Sequence, residues 1–357
     1  MPSFAVRTAS HTYESVVERG CLARLGALIP PRAGRVFVVT TEDVWAHQRG
    51  RLEAGLGGRP FETLFFPGGE ERKRLSEVEA LADEMLARGG DRSSVVVAFG
   101  GGIVTDLAGF LAAIFMRGIP VIQCPTTLLA QVDAGVGGKT GANLAGGKNL
   151  VGAFWQPLAV LADPDVLDTL PRREYIAGLY EVIKCGVIAS EPLFRVMRNA
   201  AGRVLAAEGE TVERIIAESV RIKCEVVSAD EREGGLRRIL NFGHTVGHAI
   251  EAETGYTAYL HGEAVALGMK AATELSRLTG RLSAQDAAEI LACVDSYGPV
   301  AVAPGLDADK LMARLVKDKK TVRGEVHFVL ATGIGSVEVA AGIEPGLVRK
   351  AIELALR

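Results

Sequence analysis

Two apolar runs of strand type, Val36-Phe37-Val38-Val39 and Val95-Val96-Val97-Ala98-Phe99, flank a segment of helical spacing, and this alternation restricts the fold more than any other feature of the chain. Both runs are β-branched or aromatic and stop at threonine or glycine, as strands covered on both faces do. Between them Leu75, Val78, Leu81, Ala82, Met85 and Leu86 recur every three or four residues and end at Gly89-Gly90, which predicts an amphipathic helix with a stop signal. Ile119-Pro120-Val121-Ile122-Gln123-Cys124 and Ala159-Val160-Leu161-Ala162 extend the series. Strands alternating with helices make a parallel sheet. Residues 1–170 are therefore predicted to form a doubly wound, Rossmann-like α/β domain that binds ligands at the C-terminal ends of its strands.

Beyond that point the spacing becomes helical nearly throughout, as in Val212, Ile215, Ile216, Val220 and Val227, so residues 171–357 are predicted to form a mainly α-helical domain. Glu325-Val326-His327-Phe328-Val329-Leu330 and Ser336-Val337-Glu338-Val339 interrupt it as a small hairpin about Gly333 and Gly335. No run of eighteen apolar residues marks a membrane span. A net charge of -3 and the lack of a basic-aromatic stripe give no general attraction to nucleic acid, so an anionic ligand must be held locally. The N-terminus lacks the basic-then-apolar layout of a secretory signal, and Cys21, Cys124, Cys185, Cys224 and Cys293 form no C-x-x-C pair. Both features lead to the expectation of a cytoplasmic protein with reduced thiols.

Three stretches carry chemistry. Phe99-Gly100-Gly101-Gly102-Ile103-Val104-Thr105-Asp106 follows a strand and opens a helix, so its backbone can approach a pyrophosphate at a helix N-terminus. It is not G-x-G-x-x-G, and a plain tight turn reads equally well from these residues alone. Gln131 to Gly152 holds seven glycines together with Asp133, Lys139, Lys148 and Asn149. Irregular backbone with buried lysines is costly unless an anion compensates, which points to a phosphate-bearing ligand, with a solvated flexible loop as the alternative. Gly138-Lys139-Thr140 ends like a P-loop, but Asp133 stands where its first glycine belongs and would repel a triphosphate. Finally, His244 and His248 are four residues apart, on one face of a helix, and His261-Gly262-Glu263 lies close enough in sequence to return beside them as a metal site. Taken singly, each histidine reads as a core residue.

Pro125-Thr126-Thr127-Leu128-Leu129-Ala130-Gln131-Val132-Asp133, Gly137-Gly138-Lys139-Thr140-Gly141, Gly147-Lys148-Asn149-Leu150-Val151-Gly152, Leu240 to Glu251 and His261-Gly262-Glu263 together resemble the 3-dehydroquinate synthase family of sugar-phosphate cyclases. The resemblance runs from about Tyr13 to the last strands. It implies conversion of 3-deoxy-D-arabino-heptulosonate 7-phosphate to 3-dehydroquinate and phosphate, the second step of the shikimate pathway, with NAD and one divalent metal, zinc or cobalt. It also implies a homodimer. The metal ligands would be Glu181, His244 and His261, a set that suits zinc and leaves positions open for vicinal hydroxyls. Helical spacing alone would make His248 the second ligand. The family instead places it near the substrate phosphate, with Lys139, Asn149, Lys319 or Lys320, and Arg117 from a neighbouring subunit. Lys223 and Arg237 would hold the substrate carboxylate, Asp133, Lys184 and Asn241 the hydroxyls, and Glu233 would support the site. For NAD the matches are Gly69, Glu70, Lys73, Gly101 and Gly102 with the following Ile103, Val104 and Thr105, then Asp106, Thr126, Thr127, Lys139, Lys148, Asp168 and Thr169.

Two departures from the family stand out. Thr105 replaces a common glycine before Asp106, adding a Cβ to the dinucleotide turn with weaker NAD binding as the expectation, and Cys185 replaces a common tyrosine beside Lys184. The implied chemistry is oxidation by NAD next to the carbon that must lose a proton, β-elimination of phosphate, return of the hydride, and an intramolecular aldol closure. Sister cyclases, such as amino-dehydroquinate synthase, and metal-dependent alcohol or glycerol dehydrogenases share this architecture. The cations Lys139, Lys184, Lys223 and Arg237 argue against a small alcohol as substrate.

Overall fold

The computed structural model describes residues 2–9, 11–317 and 326–357. Two compact units emerge, one of Met1–Tyr175 with Lys223–Arg232, the other of Ile176–Ile222 with Glu233–Arg357. The segment Lys223–Arg232, the last residues of a long helix that ends at Ala229 and the turn after it, groups with the first unit, although its sequence is continuous with the helical half.

The first unit is built on a seven-stranded sheet of β1 (Ser3–Arg7), β2 (Thr12–Val17), β3 (Val36–Thr40), β4 (Glu62–Phe65), β5 (Val95–Gly100), β6 (Val121–Pro125) and β9 (Ala159–Ala162), in the order β1-β2-β9-β6-β5-β3-β4. β7 (Lys139–Leu144) and β8 (Gly147–Phe154) form a separate antiparallel hairpin. Its helices are α1 (Leu25–Leu28), α2 (Glu42–Leu56), α3 (Leu75–Ala87) and α4 (Gly102–Ile114). Strands β3 and β5 are buried residue by residue because both sheet faces are covered. Phe37, Val39, Val96 and Ala98 pack with Leu107 and Leu111 of α4, while Val36, Val38, Val97 and Phe99 pack with Leu52 and Leu56 of α2. Each such valine, leucine or phenylalanine side chain contributes roughly 1.5–3 kcal/mol relative to exposure. The parallel strands are laid down outward from β3 to β4, and the chain then restarts on the other side of β3 with β5. Their C-terminal ends therefore splay at a topological switch point between β3 and β5, the place where such sheets bind ligands.

The second unit contains α5 (Arg172–Ala189, from Ile176 onward), α6 (Glu191–Asn199), α7 (Ala201–Leu205), the first part of α8 (Gly209–Ala229), α9 (His244–Glu253), α10 (His261–Leu278), α11 (Ala284–Asp295), α12 (Ala308–Lys317) and α13 (Pro345–Ala355). The expected hairpin is present as β10 (Phe328–Gly333) against β11 (Ser336–Ala340). Helix α10 is buried almost all round, from Ala264 to Leu275, and its core joins Val246 and Ile250 of α9 to Leu311 of α12 and Ile352 of α13. All five cysteines are buried and none is in a disulfide. No helix among the described residues is long and apolar enough to cross a membrane.

Candidate active site

In the second unit three helices bring Glu181, His244 and His261 together. Two glycines of α10 make this possible, because a Cβ on Gly262 would lie 1.9 Å from the carbonyl oxygen of Ala177 in α5. A Cβ on Gly268 would lie 1.9 Å from the carbonyl oxygen of Gly243, just before α9. Helix α10 thus touches the helix that carries Glu181 and the turn that precedes His244 at backbone distance. The carboxylate of Glu263 accepts the Leu260 amide at 2.8 Å and fixes the first turn of α10, where His261 sits.

The Glu181 carboxylate is fully buried, and neither of its oxygens accepts a hydrogen bond. Lys184, one turn along the same helix and also buried, ion-pairs with one oxygen in an orientation that is not a hydrogen bond. The other oxygen is 3.6 Å from Nε2 of His244 and 3.8 Å from Nε2 of His261. These separations are too long for hydrogen bonds. They lie close to the roughly 3.4 Å between ligands of a tetrahedral ion bound at 2.0–2.2 Å. Each imidazole also has its other nitrogen engaged, Nδ1 of His244 at 3.2 Å from the Phe242 carbonyl and Nδ1 of His261 at 3.2 Å from Glu251, which is buried. Partners of that kind leave Nε2 as the coordinating atom. A buried anion without hydrogen bonds, facing two oriented imidazoles, fits a divalent metal. His248 adds an alternative donor, for the nitrogens of His244, His248 and His261 lie within 4.8 Å of one another. Its ring stacks on His261 at 5.9 Å and meets His244 edge-on at 5.3 Å.

Elsewhere in this unit, Asn241 donates to Glu233 at 2.7 Å, and Glu233 adopts a left-handed backbone with φ 61°. Arg237 is buried in the 3-10 turn Leu236–Asn241. Lys319 and Lys320 lie outside the described residues.

The first unit holds the other predicted residues. Gly101 and Gly102 open α4 at the end of β5, and a Cβ there would meet the side chain of Thr127 at 3.0 Å or of Ala134 at 3.2 Å, so this turn is tightly packed. Thr126 is buried with a hydroxyl that has no partner, and so is Thr40, at the C-terminal end of β3. An uncapped helix N-terminus flanked by orphaned hydroxyls at the switch point fits a dinucleotide. Thr105 does not intrude on that turn. It is buried and donates to the Gly102 carbonyl at 2.9 Å, so its Cβ is absorbed inside α4. Ile103 and Val104 complete the first turn of that helix.

Beside this turn the buried ammonium of Lys73 donates to Asp106 at 2.5 Å and to Asn149 Oδ1 at 2.7 Å. Burial raises the Asp106 carboxyl above its ordinary pKa, and Lys73 pulls it partly back. Glu70 follows Gly69 and ion-pairs with Lys148 at 3.5 Å. Asp133 lies on a single π-helical turn, Ala130–Ala134, a distortion common at functional sites. Its side chain and its carbonyl both accept Lys223 Nζ at 2.5 Å.

Two expectations need correction. The glycine-rich stretch after Asp133 is not irregular, because Lys139–Leu144 and Gly147–Phe154 pair as a hairpin. Lys139 is exposed and Lys148 only half-buried, so the buried lysines are Lys73, Lys184 and Lys223 instead. Asp168 and Thr169 contact α2, with Arg51 3.4 Å from Asp168 and Gln48 donating to Thr169 at 2.6 Å. Arg117 is exposed on a left-handed backbone, φ 67°, shared with Met116. Sequence reasoning missed Thr40, Glu251 and Asn143. The position of Thr40 at the end of a buried strand was the available signal for the first, whereas the other two depend on loops whose paths sequence does not reveal.

Comparison with known proteins places the whole chain in one family. The family profile described as 3-dehydroquinate synthase N-terminal matches residues 63–177, and that described as 3-dehydroquinate synthase C-terminal matches residues 178–321. The 3-dehydroquinate synthase of Solibacter usitatus is 60% identical over 356 residues, covering 100% of both chains. That of Rhodospirillum rubrum is 48% identical over 341 residues, covering 92% of this chain and 89% of its own. Among solved structures, a 2-deoxy-scyllo-inosose synthase complexed with carbaglucose-6-phosphate, NAD+ and Co2+ superimposes with a TM-score of 0.89 at 26% identity, over 98% of this chain and 99% of its own. A 2-epi-5-epi-valiolone synthase from Streptomyces hygroscopicus with NAD+ and Zn2+ bound gives 0.88 at 28%, over 95% of each. A probable glycerol dehydrogenase from Sinorhizobium meliloti, at 17% identity and 0.69, over 96% of each, shares the fold.

Proposed function

The chain belongs to the 3-dehydroquinate synthase family, and from that premise we propose how its residues serve the reaction. It is a lyase that converts 3-deoxy-D-arabino-heptulosonate 7-phosphate to 3-dehydroquinate and phosphate. When bound, NAD supplies a reversible hydride acceptor and a divalent metal, zinc or cobalt, polarises the vicinal hydroxyls. The observation that carries the assignment is the Glu181 carboxylate, buried without hydrogen bonds and set 3.6 and 3.8 Å from two imidazole nitrogens.

Glu181, His244 and His261 would hold the metal, while Lys184, ion-paired to Glu181, would present its ammonium to a substrate hydroxyl. His248, packed against both ligand rings, would donate to the phosphate. Arg237 and Lys223 would bind the substrate carboxylate, with Asn241 oriented by Glu233 and Asp133 oriented by Lys223 addressing hydroxyls. Asn149 has its Oδ1 occupied by Lys73, which turns its amide N–H groups outward as anion donors, and the exposed Lys139 adds charge for the phosphate. Gly69, Glu70, Lys73, Gly101, Gly102, Asp106, Thr126, Thr127 and Lys148 would hold NAD. Fixing one substrate at both ends by cations makes each later step effectively unimolecular. The reading includes a cytoplasmic homodimer with Arg117 reaching a second subunit, supported by the five buried thiols outside any disulfide and by the exposed, strained turn that carries Arg117.

The test is phosphate release by metal-reconstituted protein given 3-deoxy-D-arabino-heptulosonate 7-phosphate, with and without catalytic NAD. Phosphate and dehydroquinate without net NADH are expected. Net NADH formation would overturn the reading in favour of a dehydrogenase, and turnover of hexose or heptulose phosphates alone would make the chain a sister cyclase. His261→Ala should lose bound metal and activity together, and full activity without metal would remove His261 from the ligand set.

A further inference from the structure

Asn143, in β7, belongs to none of the groups assigned above, yet its buried carboxamide joins two segments that do. Its Nδ2 donates to the Glu70 carbonyl at 3.0 Å and to the Glu70 carboxylate at 2.7 Å. Its Oδ1 accepts the backbone N–H of Asn149 at 2.8 Å, and its own backbone N–H donates to the Lys73 carbonyl at 2.7 Å. Both amide hydrogens and the amide oxygen are thus committed, to the Glu70 turn on one side and the Asn149 turn on the other. Asn149 has φ 51°, a left-handed backbone that needs outside support, and the bond from Asn143 supplies it.

We propose that Asn143 is a positioning residue that couples the NAD-binding turn Gly69–Lys73 to the phosphate-binding Asn149. The proposal rests on the reading of those two turns given above. Glu70 takes hydrogen bonds from Asn143 at one oxygen and the charge of Lys148 at the other, so its orientation is set from β7 and β8. Asn149 is held by Asn143 at the backbone and by Lys73 at the side chain, so the same ammonium that pairs with Asp106 also orients the phosphate donor. Asn143 and Lys73, with the Lys148–Glu70 ion pair beside them, tie the two turns together.

The experiment measures NAD affinity by calorimetry and the KM for sugar phosphate at saturating NAD, in wild type, Asn143→Ala, Asn143→Asp, Glu70→Ala and Asn149→Ala. Asn143→Ala should raise both the Kd for NAD and the KM about tenfold, the effect of losing hydrogen bonds to a charged group and to a strained backbone. Asn143→Asp separates the two arms. It keeps the acceptor for the Asn149 amide but cannot donate to Glu70 and sets carboxylate against carboxylate, so the Kd for NAD should rise at least about tenfold while the KM stays within about threefold. A residue that merely held the hairpin together would not produce that split. Should Asn143→Ala fail to fold, the Asp variant decides alone. Equal effects of Asn143→Asp on Kd and KM, or none on either, overturn the coupling. If Glu70→Ala and Asn149→Ala also leave both constants unchanged, the assignment of the two turns fails as well, which distinguishes that failure from failure of the coupling alone.

Discussion

Nδ1 of His261 lies 3.2 Å from the buried carboxylate of Glu251, one helix away, while Nε2 of the same ring faces Glu181. A carboxylate behind a metal-binding imidazole fixes its tautomer and raises its basicity, typically at a cost of 10–100-fold in metal affinity when removed. Glu251→Gln keeps the volume and loses the charge. It should weaken Co2+ binding about tenfold or more in a chelator competition, with far-UV circular dichroism unchanged. Unaltered affinity would show that Glu251 has no hold on the metal site.

Lys73 and Asp106 make a second test, because the buried Lys73 pairs with a half-buried Asp106 and the pH dependence of the pair has a definite sign. Burial already raises the Asp106 carboxyl, and Lys73 opposes that rise. Lys73→Met therefore raises it further. A carboxyl whose folded value exceeds its unfolded one costs nothing below the unfolded value and costs progressively more as pH climbs through the folded one. The variant should lose on the order of 3 kcal/mol at pH 8 and clearly less at pH 5, by urea unfolding. A loss independent of pH would mean that Asp106 does not feel Lys73.

Most of the fold could be read from sequence because strands covered on both faces show as unbroken apolar runs. The limits were local. Val220 and Val227 fall on one uninterrupted helix, so nothing in the periodicity marks Lys223 as the point where α8 joins the other unit. Glycines at 141, 147 and 152 hid the β7–β8 hairpin, since glycine carries no strand propensity of its own. The proposed metal site was half legible: helical spacing paired His244 with His248, whereas the approach of Glu181 depends on the packing of α5 and α10, and its role came only from the resemblance.

The thiols give a third expectation. Burial pushes Cys224 and Cys293 up to about 12 and raises Cys21 and Cys124 as well. Native protein at pH 8 should therefore react with Ellman's reagent at less than about one thiol per chain, because only thiolates react. All five should react in guanidinium. Rapid native labelling of several thiols would contradict the closed core around them.

Gly262 and Gly268 set the distances at which α10 meets the elements bearing Glu181 and His244, which leads to the last prediction. A methyl at Gly262 would sit 1.9 Å from a carbonyl of α5, and one at Gly268 equally close to the Gly243 carbonyl, both rigid backbone atoms. The helices must separate to admit either. Separation lengthens the 3.6 and 3.8 Å gaps between Glu181 and the two imidazoles, so the damage falls on the metal site as well as on stability. Gly262→Ala and Gly268→Ala should each cost about 3 kcal/mol and lower Co2+ affinity. Gly202→Ala, in α7 with nothing within 4 Å of the added methyl, should cost no stability and leave metal binding unchanged. Chelator titration against urea unfolding reads both quantities on the same samples. Stability lost without loss of metal affinity would mean that the three ligands move together, and that these glycines serve packing alone.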